Sequence, residues 1–143
     1  MTTANKMRLG YTNVTPATRS RMQAVRCRNT DPEMRVRRVL HALGYRFRLH
    51  RKSLPGTPDI VLPGRRKIIL VHGCFWHGHP QCKRAKLPAK NTETWRAKIQ
   101  ENQARDENNI AILREQGWDV MIIWECETRN PSLITDRLRR FLL

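Results

Sequence analysis

The chain has 143 residues, 39% of them hydrophobic, and carries 28 Lys+Arg against 12 Asp+Glu, a formal net charge of +16. That length favours one domain around one core. It contains no run of 18 apolar residues to cross a membrane, and the opening MTTANKMRLG lacks the apolar centre of a secretory signal, so a soluble cytoplasmic protein is expected. A strongly basic chain draws polyanions by releasing their counterions, which makes nucleic acid the expected partner ahead of an acidic membrane or an acidic protein.

Residues 1–15 are polar and aperiodic and read as a mobile arm ahead of a single domain spanning 1–143. TPATRSRMQAV has a helix start, with Thr15 as cap and Pro16 in the first position. Cys27, in VRCRNT, has no histidine near it and reads as a free thiol. TDPEMRVRRVLHALG repeats the helix start with Asp31 as cap; Met34, Val36, Val39, Leu40 and Leu43 follow at helical period, and Gly44 closes the element. YRFRLH (45–50) alternates like a half-buried strand, and SLPGTP is a loop.

DIVL and KIILV flank PGRR as the strands of a hairpin. Proline fixes φ at about −65°, which excludes a primed two-residue turn. A type II turn centred on Pro63-Gly64, in a longer loop that uses Arg65 and Arg66, fits instead. The register that follows sets Asp59 near Val71 and His72. Residues 91–116 form a long helix capped by Asn91 or Thr92, with Trp95, Ile99, Ile110 and Leu113 on one stripe and Gly117 at its end. WDVMIIWEC is an apolar strand running to Cys126, and NPSLITDRLRRFLL is a last amphipathic helix capped by Asn130 or Ser132. The order α, α, β, β, β, loop, α, β, α calls for a mixed sheet covered by helices.

The densest chemistry lies in VHGCFWHGHPQC, residues 71–82. Cys74, His79 and Cys82 give C-x4-H-x2-C, and Cys126 supplies a fourth ligand from beyond a helix and a strand. Zinc prefers four N/S ligands in a tetrahedron, and thiolates argue against Mg²⁺ or Ca²⁺ there. With every position filled by protein, the site would be a structural staple. His77 is an alternative to His79 as the imidazole ligand, and unrelated buried cysteines are the plain alternative to the whole site.

Asp59, in GTPDIVL, stands at the mouth of a strand, where a lone acid ordinarily serves a turn. Its expected proximity to His72 gives it another use. A carboxylate can hold Mg²⁺, which neutralises phosphate charge and activates water, and an imidazole can move a proton near neutral pH. One acid and two histidines beside a DNA-attracting surface suffice for phosphodiester hydrolysis.

GTPDIVL, followed by VHGCFWHGHPQC and then WEC, resembles the very short patch repair endonucleases, bacterial enzymes that nick DNA at T·G mismatches left when 5-methylcytosine deaminates. The resemblance runs from about Ala17 to about Asn130. It implies an α/β fold of restriction-endonuclease-like type, a mixed sheet flanked by helices with one structural zinc site. It further implies that Asp59 and the main-chain carbonyl of Val71 hold Mg²⁺, that His77 is the general base, that His72 supports the phosphate or the metal's water, and that Glu33 helps order the site. Cys74, His79, Cys82 and Cys126 carry over as zinc ligands.

Phe75, Trp76 and Trp95 become aromatic wedges that unstack a base step, with core packing as the alternative. ATRSRMQAV resembles a minor-groove segment in which Arg19 meets phosphate and Met22 is an opposing wedge, with a solvated charged helix as the alternative. The implied partner is double-stranded DNA with a T·G mismatch, met by a monomer at the nucleoid without membrane attachment, with mismatch-repair proteins as further candidates. Two other readings stay open: a non-catalytic zinc-containing nucleic-acid-binding protein, and a nuclease of the same fold with broader mismatch or different sequence specificity.

Overall fold

The computed structural model describes residues 29–143. The expected arm, the helix from Thr15 with Arg19 and Met22, and Cys27 lie outside the described residues.

Helix α1 (Asp31–Ala42) starts one residue earlier than its sequence signal suggests. Thr30, in extended conformation, is the cap, and its hydroxyl accepts from the Glu33 N–H at 3.4 Å, while Pro32 fills the first turn. Gly44, at φ +85°, turns the chain out. Strands β1 (Arg48–Leu49), β2 (Ile60–Leu62) and β3 (Lys67–His72) form an antiparallel meander. Helix α2 (Thr92–Glu115) then crosses over to β4 (Asp119–Trp124), which pairs parallel with β3, and helix α3 (Pro131–Leu142) closes the described chain. The four strands lie in the order β1-β2-β3-β4, a mixed sheet flanked by helices.

The sheet's alternation sorts its side chains between two cores. Ile60, Leu62, Ile69 and Ile123 pack with Val36 and Leu40 of α1 and with Ile134, Leu138 and Leu142 of α3. Val61 and Ile68 face the other way, onto Leu113 of α2 and Trp118. Both faces are therefore covered, which is why β2 and β3 read as continuous apolar runs. Each fully buried Leu or Ile contributes about 1.5–3 kcal/mol. None of the described helices is long and apolar enough to cross a membrane.

Three local expectations need correction. The Pro63-Gly64 turn is a 3-10 turn, Pro63–Arg65, closed by Arg66 at φ +55°, whose N–H donates to the Pro63 carbonyl; it is not a type II turn. The loop is nonetheless longer than two residues. β4 stops at Trp124, and Cys126 begins a separate 3-10 turn, Glu127–Arg129. The 45–50 strand shrinks to two residues because its alternation breaks at Leu49, which is exposed, and His50, which turns inward at φ +46°. At the other helix starts, Asn130 caps α3 through its side chain, whereas Asn91 occupies the cap position of α2 through its backbone alone, its carbonyl accepting from the Trp95 N–H, and Thr92 donates to the carbonyls of Pro88 and Ala89.

Candidate active site and metal centre

The antiparallel ladder between β2 and β3 ends at Ile60, paired with Ile69. One residue further out the main chain no longer reaches β3, and the side chain of Asp59 takes over: its Oδ2 accepts from the Val71 N–H at 2.9 Å. The expected nearness of Asp59 to Val71 is present, with Oδ1 as its second oxygen. Burial is the main cause that raises the Asp59 pKa from 3.8 to about 6. The Val71 N–H opposes that shift, the negative charge of Glu33 adds to it, and His50 offsets it.

Glu33, on the first turn of α1, is buried. One oxygen lies 3.0 Å from His50 Nε2 and the other 2.8 Å from the Arg37 guanidinium. Glu33, His50 and Asp59 bring their polar atoms within 4.8 Å of one another. These three residues come from α1, the end of β1 and the start of β2, so the fold brings together the two acids named from sequence.

His72 ends β3 and is buried; its ring stacks on that of His77 at 3.8 Å, nearly parallel. The turn after β3 is held by hydrogen bonds from the His77 and His79 N–H groups to the carbonyls of Gly73 and Cys74. His77 Nδ1 is 2.6 Å from Asp106 Oδ2, which sits on α2. A carboxylate on Nδ1 fixes the tautomer that leaves the basic lone pair on Nε2. The 2.6 Å separation is a hydrogen bond; two ligands of one metal ion sit about 3 Å or more apart, so the trio His72, His77 and Asp106 reads as an acid–imidazole dyad with a stacked neighbour.

On the other side of this turn, Cys74, His79, Cys82 and Cys126 place their donor atoms within 4.8 Å of one another. His79 Nδ1 is 3.6 Å from Cys74 Sγ and 3.5 Å from Cys126 Sγ. Tetrahedral zinc, with Zn–S of about 2.3 Å and Zn–N of about 2.0–2.1 Å, requires an S–N edge of about 3.6 Å. The donor set thus fits a tetrahedral thiolate-binding cation, and His79, not His77, is the imidazole that meets the cysteines. Burial pushes the Cys74 thiol up to about 12. Cys82 moves downward: desolvation opposes ionisation, but the Arg84 and Ala85 N–H groups and the neighbouring thiols outweigh it. The Cys126 N–H donates to Cys74 Sγ at 3.4 Å and the Cys74 N–H to Glu125 Oε1 at 3.3 Å, tying the turn to the end of β4. His79 stacks on Trp124 at 4.1 Å.

Phe75, Trp76 and Trp95 form one edge-to-face cluster with centroids 5.2–5.7 Å apart. Trp95 is buried, while Phe75 and Trp76 keep accessible surface. Sequence reasoning missed Asp106, Asn102, Lys98 and His50. Trp95, Ile99, Asn102, Asp106, Ile110 and Leu113 lie at intervals of three and four, so Asn102 and Asp106 fill inward places in the apolar stripe. Asn102 Nδ2 donates to the Trp76 carbonyl at 2.9 Å, and Lys98 is 3% exposed. A polar residue inside such a stripe was the available signal.

A desolvated acid, an imidazole oriented by a carboxylate and a net charge of +16 suit one class of work, hydrolysis of a polyanion. The family description "DNA mismatch endonuclease Vsr" matches residues 12–84. A type II nicking enzyme of Xanthomonas oryzae pv. oryzae is 52% identical over 121 residues, covering 85% of this chain and 88% of that protein. The DNA mismatch endonuclease Vsr of Escherichia coli is 46% identical over 84% of this chain and 77% of its own length. A type II nicking enzyme of Neisseria meningitidis serogroup A is 38% identical over 85% and 86%. The chain belongs to the Vsr family: it is a DNA endonuclease, a hydrolase acting on DNA.

Proposed function

We propose that this endonuclease uses Mg²⁺ to nick one strand of duplex DNA at T·G mismatches produced by deamination of 5-methylcytosine, and so starts their repair. The relatives' names, a mismatch endonuclease and nicking enzymes, support the substrate and the single-strand outcome. The observation that carries the chemistry is the His77–Asp106 contact of 2.6 Å on the same end of the sheet as the Asp59–Val71 clamp.

In this reading Asp59, with the Val71 carbonyl, holds the magnesium and Glu33 orders its surroundings. Magnesium bound there supplies charge neutralisation for the phosphate and acidifies water. His77 takes the proton of the attacking water at Nε2, while Asp106 keeps Nδ1 protonated and stabilises the imidazolium that forms. The water oxygen bonds to phosphorus, one bridging P–O bond breaks, and the departing sugar oxygen gains a proton. His72, stacked on His77, supports the phosphate. Zinc on Cys74, His79, Cys82 and Cys126 fastens the turn that carries both His77 and the aromatic pair. Phe75 and Trp76 enter the base stack at the mismatch, where unstacking costs least, backed by the ring of Trp95 that packs against both. The fold is then of restriction-endonuclease-like type, acting as a monomer in the cytoplasm, with mismatch-repair proteins as candidate partners.

Asp59→Ala tests the reading. The variant is expected to bind a T·G duplex with the affinity of the unaltered chain and to leave it intact with Mg²⁺ present; nicking at the unaltered rate by Asp59→Ala would refute the mechanism.

A further inference from the structure

His50 occupies a position that its sequence pattern assigns to the outside. Tyr45 and Phe47 pack onto the core, so strict alternation would turn Leu49 inward and His50 outward. The reverse is found: Leu49 is 39% exposed, and the His50 side chain is 12% exposed. The swap is made by the His50 backbone, at φ +46°, a left-handed conformation that a residue with a Cβ keeps only where its surroundings hold it.

What holds it lies on both sides. The His50 N–H donates to the Asp59 carbonyl at 3.1 Å, and His50 Nε2 meets Glu33 Oε1 at 3.0 Å. One residue thus spans the acid of α1 and the acid ahead of β2. Glu33 does not need His50 for charge balance, because Arg37 pairs with its other oxygen at 2.8 Å. Two carboxylates this close repel each other unless a cation lies between them or their partners hold them in place.

We infer that His50 is a positioning residue: its Nε2 holds Glu33 turned toward Asp59 and its N–H fixes the Asp59 backbone, so that the two acids face one divalent cation. The inference rests on the reading that Asp59 binds Mg²⁺ and adds a residue to which that reading gave no role. A residue that only filled space would affect melting, not the cation.

The test uses the full chain with His50→Ala, His50→Gln and Asp59→Ala. Binding of Mn²⁺, as a paramagnetic stand-in, is followed by the spectrum of the free ion, beside the Mg²⁺ dependence of T·G nicking, duplex affinity and melting. His50→Ala is expected to lose roughly 10–100-fold in Mn²⁺ affinity, to need correspondingly more Mg²⁺, and to bind DNA unchanged. His50→Gln, whose amide can donate to Glu33, is expected to recover most of the loss. Should His50→Ala melt too low to assay, His50→Met, which fills the space without a donor, should show the same loss. Unaltered Mn²⁺ affinity in His50→Ala or His50→Met, or a glutamine variant as impaired as alanine, overturns the inference. If Asp59→Ala loses Mn²⁺ while His50→Ala keeps it, only the role of His50 fails; if Asp59→Ala also keeps it, the magnesium reading fails and the inference with it.

Discussion

Asp59 carries the clearest consequence at the scale of single residues. Its folded-state pKa is raised from 3.8 to about 6, chiefly by burial. An acid whose pKa is raised on folding binds more protons folded than unfolded between those two values, so its contribution to stability falls as pH rises through that window and stays unfavourable above it. The shift corresponds to about 3 kcal/mol. Asp59→Asn should therefore stabilise the magnesium-free chain by up to about that amount above pH 6 and change little below pH 4, as read from denaturant midpoints across the pH range. A gain independent of pH would contradict the raised pKa of Asp59. Asp106 offers a second test. Asp106→Asn should lower the nicking rate by about 10²-fold or more, because the amide no longer fixes the His77 tautomer, while leaving duplex affinity in place. Single-turnover kinetics beside a binding titration separate the two effects. The nearness of Asp59 to Val71 was legible because hairpin register acts over a short separation, whereas His77 was singled out by the resemblance and not by any local pattern. Asp106 was not legible, since its contact with His77 spans 29 positions and depends on how α2 is docked; only its inward place in the helical stripe marked it.

Secondary-structure elements were legible wherever period and punctuation agreed, as in α1, α2, α3 and the apolar strands. The misread turns share a cause. Both at Arg66 and at His50 a non-glycine residue takes positive φ, a choice made by tertiary contacts that no local signal announces. The short strand β1 and the 3-10 turn at Pro63 follow from those two residues. Gly78 is the converse case, a glycine its turn requires: at φ +61°, an added Cβ would fall 2.6 Å from Ile99 Cγ2 and 2.4 Å from Gln103 Nε2. Gly78→Ala should displace the turn between His77 and His79 and reduce metal retention and nicking together, measurable by elemental analysis of the purified variant. The four-donor cluster ties that turn to the residues after β4, so elemental analysis of the unaltered chain should find one zinc per chain. Cys126→Ser should lose zinc and melt at lower temperature. In the core, Leu138→Ala, which empties a fully buried site between α3 and the sheet, should cost about 2–5 kcal/mol by denaturant titration.

At the scale of the whole molecule, charge and architecture divide the work. The net charge of +16 supplies attraction to any duplex, so affinity for matched DNA should fall steeply, by about 10³-fold between 50 and 200 mM salt if six or more phosphates are met. The sheet and the helices packed on it assemble two clusters, Glu33 with His50 and Asp59, and His72 with His77 and Asp106, and the thiol-rich cluster braces the turn that carries His77. The measurement that bears most directly on this account is a nicking assay on duplexes labelled in turn on each strand, carrying T·G or T·A at one position, with and without Mg²⁺. One strand of the T·G duplex should be cut, only with Mg²⁺, and the T·A duplex should survive. Cleavage of both strands, equal cleavage of the matched duplex, or cutting that continues without divalent cation would contradict it.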